Sequence, residues 1–404
     1  MIGFSPSDDQ RELQRLARRF AAAELAPLAV RMDGGDHGDS TRDAYLAMYA
    51  KAAQIGLHAL LIATEHGGTS GTCLDNVLVQ EELGAVDVGL AGSLNLCTCM
   101  PVMIAAGADA GQRSAWLDEL ARSNDHILAG ALNEPDVAGS ELFCPLPEAS
   151  LGVRTVARRD GEDYVIRGSK VGFVTNAGVA KAFMVFARTD RSAGPLEGTS
   201  VFYVPADAPG VSVGRPTALL GMRSSWHAEV VFDDVRVDAR RRIGPEGRGL
   251  ELMGAGAAPM ALGLAAAFVG LARAARDAAI EYASQRTSWG RPLREHQAVA
   301  LRLAEIELDV RAARLLVWEA ALAVDGGDPA AARLVPAAKA FAVDAATRAA
   351  EHAVKVHGGY GVATEYPVEK LLRDAHTGWS CDFTGDMLRL QLAQALTASP
   401  VSYA

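Results

Sequence analysis

Four glycine-rich, small-polar segments and one arginine-bearing segment carry the chain's chemical potential. They are Leu132-Asn-Glu-Pro-Asp-Val-Ala-Gly-Ser140, Gly168-Ser-Lys-Val-Gly-Phe-Val-Thr-Asn176, Arg286-Thr-Ser-Trp-Gly-Arg-Pro-Leu293 with Gln297, Gly358-Gly-Tyr-Gly361, and Arg373-Asp-Ala375. Exposed backbone N–H groups, hydroxyls and an arginine suit a phosphate-bearing ligand lying across a junction between parts of a fold. Commoner chemistries lack their spacing. There is no G-x-S-x-G elbow and no G-x-x-x-x-G-K-[ST] loop. Neither Gly244-Pro-Glu-Gly-Arg-Gly249 nor Gly358-Gly-Tyr-Gly361 completes G-x-G-x-x-G. The nine histidines form no H-E-x-x-H, and His352 and His357 stand about 140° apart around a helix. Cys73, Cys97, Cys99, Cys144 and Cys381 make neither a C-x-x-C pair nor a zinc spacing. Reduced thiols in the cytoplasm are the expectation.

The elements that must position these segments fall into three regions with different periods. Residues 1–125 read as helices: Leu13, Leu16, Ala17, Phe20 and Leu25 recur at helical spacing after Ser7-Asp8-Asp9, and further helices cover Tyr45 to Gly56 and Asp75 to Leu83. Residues 126–243 switch to short β-branched and aromatic runs: Val153 to Ala157, Tyr164 to Ile166, Phe183 to Ala187, Ser200 to Val204 and Glu229 to Val237. No long helices alternate with them, so an antiparallel barrel or sandwich is expected rather than a parallel sheet. Residues 244–404 return to long amphipathic stretches and read as a four-helix bundle, with helices at Arg273 to Gln285, Gln297 to Asp325, Pro329 to His357 and after Pro367. The fold class is α+β, in the order α, β, α.

Half of the 404 residues are hydrophobic and 22% are charged, which excludes global disorder. A net charge of −10 argues against a nucleic-acid surface. Leu252 to Ala272 holds 21 residues without a charge, long enough to span a bilayer. Its alanines and glycines, with Pro259 inside, favour a helix buried among other helices, so no membrane span is expected.

In order along the chain, these segments resemble the acyl-CoA dehydrogenase family of flavoproteins, from about residue 7 to residue 395. Gly221-Met-Arg-Ser-Ser225 followed by Val231-Phe-Asp-Asp-Val-Arg-Val237 resembles its G-x-R-x-S and F-x-x-V-x-V strand. Tyr282-Ala-Ser-Gln-Arg-Thr-Ser-Trp-Gly-Arg-Pro-Leu293, then Gln297, resembles Y-x-x-x-R-x-x-F-G-x-P-L-x-x-x-Q. Gly358-Gly-Tyr-Gly-Val-Ala-Thr-Glu-Tyr-Pro-Val368 to Leu372-Arg-Asp-Ala375 resembles the C-terminal signature. The resemblance implies an N-terminal helical domain, a β domain, a C-terminal four-helix bundle, and FAD as cofactor. Leu132, Asn133 and Ser140, with Phe173 against the ring and Thr175 near N5, would hold the isoalloxazine. Arg286, Gln297, Lys355, Gly358 and Gly359 would serve the FAD of a neighbouring subunit, in a homo-oligomer (a dimer or a homotetramer). Thr384 is also carried over as a cofactor residue.

The implied reaction is α,β-dehydrogenation of an acyl-CoA or of an acyl group on a carrier protein, with an electron acceptor to reoxidise the flavin. The family's usual base is the Glu of an E-G-T triplet seven residues past the Ala of R-D-A. Counting from Ala375 gives Asp382-Phe-Thr384, so Asp382 is the candidate base, with one methylene less reach and a phenylalanine beside it. Some members carry the base on the first bundle helix, but Met260 and Ala261 stand there. Asn133 replaces a usual Thr and Lys355 a usual Gln. One extra residue is expected at Asp136-Val137 and one at Val171-Gly172. A specialised substrate is the expectation. Two alternatives are a flavin-dependent monooxygenase on the same scaffold and a non-catalytic partner subunit of a hetero-oligomeric dehydrogenase.

Overall fold

The computed structural model describes residues 5–397 except 144, 145 and 147, so Cys144 lies outside the described residues. Six helices come first: α1 (Asp8–Phe20), α2 (Ala26–Asp33), α3 (Asp39–Gln54), α4 (Cys73–Gly84), α5 (Val88–Gly107) and α6 (Ala110–Arg122). Capping boxes start three of them: Ser7 with Gln10, Thr72 with Asp75, and Asp109 with Gln112. A π-helical turn, Ala21–Leu25, joins α1 to α2.

The β region holds β1 (Leu128–Ala131), the short α7 (Gly139–Leu142), β2 (Val156–Asp160), β3 (Asp163–Thr175), β4 (Ala182–Arg188), the short α8 (Pro195–Gly198), β5 (Thr199–Pro205), β6 (Val211–Pro216), β7 (His227–Asp238) and β8 (Arg242–Ile243). They form one sheet in the order β6-β7-β3-β2-β4-β5-β8, with β1 also on β4. Most neighbours are antiparallel as expected, but β1 and β2 both run parallel to β4. Between paired positions, β3 takes four steps from Lys170 to Val174 while β7 takes two from Val230 to Ala228. This bulge spans Val171-Gly172 and disrupts the ladder beside Phe173.

The last region comprises α9 (Gly249–Gln285), a small hairpin of β9 (Thr287–Ser288) and β10 (Arg291–Pro292), α10 (Gln297–Asp325), α11 (Ala331–His357), α12 (Pro367–Thr377) and α13 (Gly385–Thr397). The uncharged run lies in α9. By length and composition α5 and α9 could each cross a membrane, yet 78% and 61% of their most apolar windows are buried inside the fold. Small residues there have a packing reason. A Cβ on Gly84 of α4 would lie 2.2 Å from the Ala267 carbonyl oxygen, and one on Gly270 of α9 would lie 2.2 Å from that of Glu81. The two helices therefore touch backbone to backbone.

Ion pairs on buried carboxylates tie this contact to its surroundings. On α4, Glu82 pairs with Arg18 of α1 at 2.9 Å and Arg273 of α9 at 2.7 Å, and Glu81 pairs with Arg314 of α10 at 2.7 Å. A second knot joins all three regions. Lys370 of α12 bridges Asp87, which caps α5, and Asp374, whose carboxylate accepts the backbone N–H of Met222 at 2.6 Å.

Candidate active site

A cavity of about 390 Å³ opens where the sheet meets α5, α9 and the segment after α12. Its sheet side includes Leu132, Asn133, Phe173, Thr175 and His227. Its helical side includes Met100, Met103, Met253 and Met260, and Asp382 and Phe383 close one end. Five of the expected site residues, Leu132, Asn133, Phe173, Thr175 and Asp382, therefore meet in one place. The other seven lie outside the lining. Ser140 sits in α7, and Thr384 accepts the Met387 N–H at the start of α13. Arg286, Gln297, Lys355, Gly358 and Gly359 are exposed on the bundle, where the Arg286 guanidinium lies 5.8 Å from the centre of the Tyr360 ring.

Beneath the cavity wall the chain is held by a fully buried pair. Lys170 Nζ donates to Glu134 Oε1 at 2.6 Å, to the Phe186 carbonyl at 2.8 Å and to the Leu132 carbonyl at 3.2 Å. Glu134 also accepts the backbone N–H groups of Arg154 and Thr155. Burial pushes its carboxyl up, but the ammonium and these donors outweigh it and hold the group below the usual carboxylate range. Burial also brings Lys170 down to about 8 against the pull of Glu134. Glu134 is thus spent on fixing the 132–134 backbone.

On the sheet face, Thr175 Oγ1 and His227 Nε2 are 3.1 Å apart, and His227 Nδ1 is buried without a hydrogen bond among the described residues. Burial pushes the imidazole down to about 4, so it is neutral at physiological pH. The next residue, Asn176, takes a left-handed φ of 69°. Its side chain accepts from Tyr45 Oη at 2.9 Å and donates to the Leu128 carbonyl at 3.1 Å, locking the end of β3 to α3.

Asp382 also has a left-handed backbone, with φ 57°. Its side chain is one-third exposed and lies 3.5 Å from Nζ of Lys339, a fully buried lysine on α11. The neighbouring Cys381 thiol is pushed up to about 12 by burial, with the Asp382 charge adding to it. The Phe383 ring packs on Phe143 with centroids 5.2 Å apart.

Lys339, His227, Phe143 and the methionine wall escape the motifs. Lys339 did carry a signal, as a lone charge in Ala337-Ala-Lys-Ala-Phe341 and one of only six lysines. A flat conjugated ring with a polar edge fits this cavity. Phe173 is apolar yet 56% exposed, the Asn133 amide and Thr175 hydroxyl line the same wall, and a Cβ on Gly139 would meet nothing within 4 Å.

Three profiles of one family match in chain order: "Acyl-CoA dehydrogenase, N-terminal domain" over residues 7–124, "middle domain" over 130–235 and "C-terminal domain" over 247–397. A short-chain specific acyl-CoA dehydrogenase of Clostridium acetobutylicum is 32% identical, covering 97% of this chain and 99% of that one. The butyryl-CoA dehydrogenase structure from Megasphaera elsdenii superposes with a TM-score of 0.88 at 30% identity, over 98% of this chain and all of the other. The structure of the prolyl acyl carrier protein oxidase AnaB gives 0.87 at 25% identity, over 97% and 100%. These matches define a flavoprotein oxidoreductase acting on CH–CH groups, with FAD as cofactor. The chain belongs to the acyl-CoA dehydrogenase family.

Proposed function

We propose that the protein removes hydrogen from Cα and Cβ of an acyl thioester and that Asp382 takes the α-proton. The observation that carries this reading is the charge inventory of the cavity. Asp382 is its only carboxylate among the described lining residues, and no lysine or arginine lines it. FAD, when bound, supplies the acceptor for the hydride leaving Cβ. The Cα–H bond breaks toward Asp382, and its electron pair forms the Cα=Cβ bond as the hydride departs. Leu132, Asn133, Phe173 and Thr175 would hold the flavin ring, with Ser140 and Thr384 near the edges of that site. Met100, Met103, Met253 and Met260 supply an apolar, adaptable wall for the acyl group. Together with Phe383, this wall favours a compact, uncharged acyl chain, carried on CoA or on a carrier protein.

The assembly is proposed as a homo-oligomer. Arg286, Gln297, Lys355, Gly358 and Gly359 lie outside the cavity and are free to serve the FAD of a second copy. Leu301, Leu308, Leu315 and Leu322 are exposed at seven-residue spacing along α10 and offer it an apolar seam. Free thiols at Cys73, Cys97, Cys99 and Cys381 suit a cytoplasmic protein. A separate electron acceptor would complete turnover.

Anaerobic mixing of the FAD-loaded protein with butyryl-CoA tests the reaction. Bleaching of the flavin without added reductase is expected. Turnover seen only with a reductase and oxygen would instead establish the monooxygenase alternative, and failure to hold FAD would favour the partner subunit.

A further inference from the structure

Lys339 is buried completely, and every contact recorded for its ammonium falls on three consecutive residues. Nζ donates to the Cys381 carbonyl at 2.8 Å, reaches Asp382 Oδ2 at 3.5 Å, and lies 5.8 Å from the centre of the Phe383 ring. Among the described residues Asp382 is its one ion-pair partner. An ammonium taken out of water is costly unless it is paired. This one therefore constrains both ends of Asp382, the carbonyl that precedes it and the carboxylate it carries. The constraint acts where the backbone is already in the left-handed region. Oδ1 has no hydrogen bond among the described residues.

We infer that Lys339 is the positioning residue of the site: it anchors Oδ2 and the 381–382 backbone so that Oδ1 is left to take the proton. This rests on the reading of Asp382 as the base. A helix-borne cation is a firm anchor for a short side chain on a turn, because α11 is packed into the bundle along most of its length. The lysine touches neither substrate nor flavin in this scheme and acts through the carboxylate.

The test is a double-mutant cycle on FAD-loaded protein, followed by rapid anaerobic flavin reduction with butyryl-CoA. Lys339→Met is expected to lower the limiting rate by about 10- to 100-fold while the apparent dissociation constant for butyryl-CoA moves less than about threefold. In the Asp382→Asn background the same change should cost little more, since the group it positions is gone. Full additivity in the double variant, or a Lys339→Met rate within about twofold of wild type, overturns the inference. Should Lys339→Met fail to fold, Lys339→Gln removes the charge and keeps a donor for the Cys381 carbonyl. Its rate is expected to fall with unchanged FAD content, and a wild-type rate overturns the inference equally. If Asp382→Asn itself reduces flavin at the wild-type rate, the base assignment fails and this role fails with it. If only the lysine variants are fast, the base assignment stands alone.

Discussion

If Asp382 is the base, as proposed, it works with a shorter arm than glutamate, so its placement matters more than its chemistry. Replacing it with Asn keeps shape and removes basicity. We expect flavin reduction by butyryl-CoA to slow by about 10²- to 10⁴-fold while FAD stays bound, measured by stopped-flow absorbance. His227 gives a second prediction at this scale. Its folded pKa of about 4 lies below the ordinary 6.5, so the unfolded chain binds more protons in between. The stabilising contribution is present above pH 6.5 and is lost as pH falls toward 4, on the order of 3 kcal/mol. Urea midpoints at pH 7 and pH 4.5 should therefore diverge more for the wild type than for His227→Gln. Equal losses would remove His227 from the account of acid sensitivity. Asp382 was proposed through the family resemblance, by counting seven residues past Ala375 of the C-terminal signature. Lys339 and His227 were not reachable in that way, because each contacts a partner 43 or 52 positions away that only the fold brings near.

Elements were legible where their periodicity was clean. The amphipathic stretch Gln297–Asp325 is one helix with those bounds, and all five predicted strands lie within or overlap real ones. The β1 strand, Leu-Ala-Gly-Ala, was missed because small residues carry little strand signal and its pairing with β4 is remote in sequence. The helix α5 lies within the region read as helical but was not delimited, because it is apolar on nearly every side, so no polar face marks its period. Packing between elements also bears on the proposed substrate choice. The Phe143–Phe383 contact links the loop after α7 to the turn before α13 and narrows the cavity. Phe383→Gly should raise kcat/KM for octanoyl-CoA relative to butyryl-CoA by about tenfold, the worth of a modest apolar volume change. An unchanged ratio would mean that the ring does not limit the chain.

At the scale of the molecule, three regions meet at one cavity and are pinned by the Lys370–Asp87–Asp374 knot and by the arginines around Glu81 and Glu82. The α, β, α order was readable from changes in period, and the uncharged run found its explanation in a helix pressed against α4. The leucine seam on α10 was present in the spacing but has meaning only once its exposure is known. Leu308→Lys with Leu315→Lys should shift the protein to a smaller species in sedimentation velocity and lower its FAD content. An unchanged sedimentation coefficient would rule out this face as the interface.

The left-handed backbone at Asp382 bears on how this site can change over generations. Asp and Asn tolerate positive φ better than longer side chains do, so a glutamate introduced there alone would sit on a strained turn. Relieving that strain calls for a different turn, and the turn is held by Phe383 on Phe143 and by Lys339 on the Cys381 carbonyl. Substitutions at 382 and 383 are therefore expected to be coupled. Either half of a change from Asp-Phe to Glu-Gly is then expected to gain little without the other, so the geometry that holds this turn also narrows the routes by which its side chains can be exchanged.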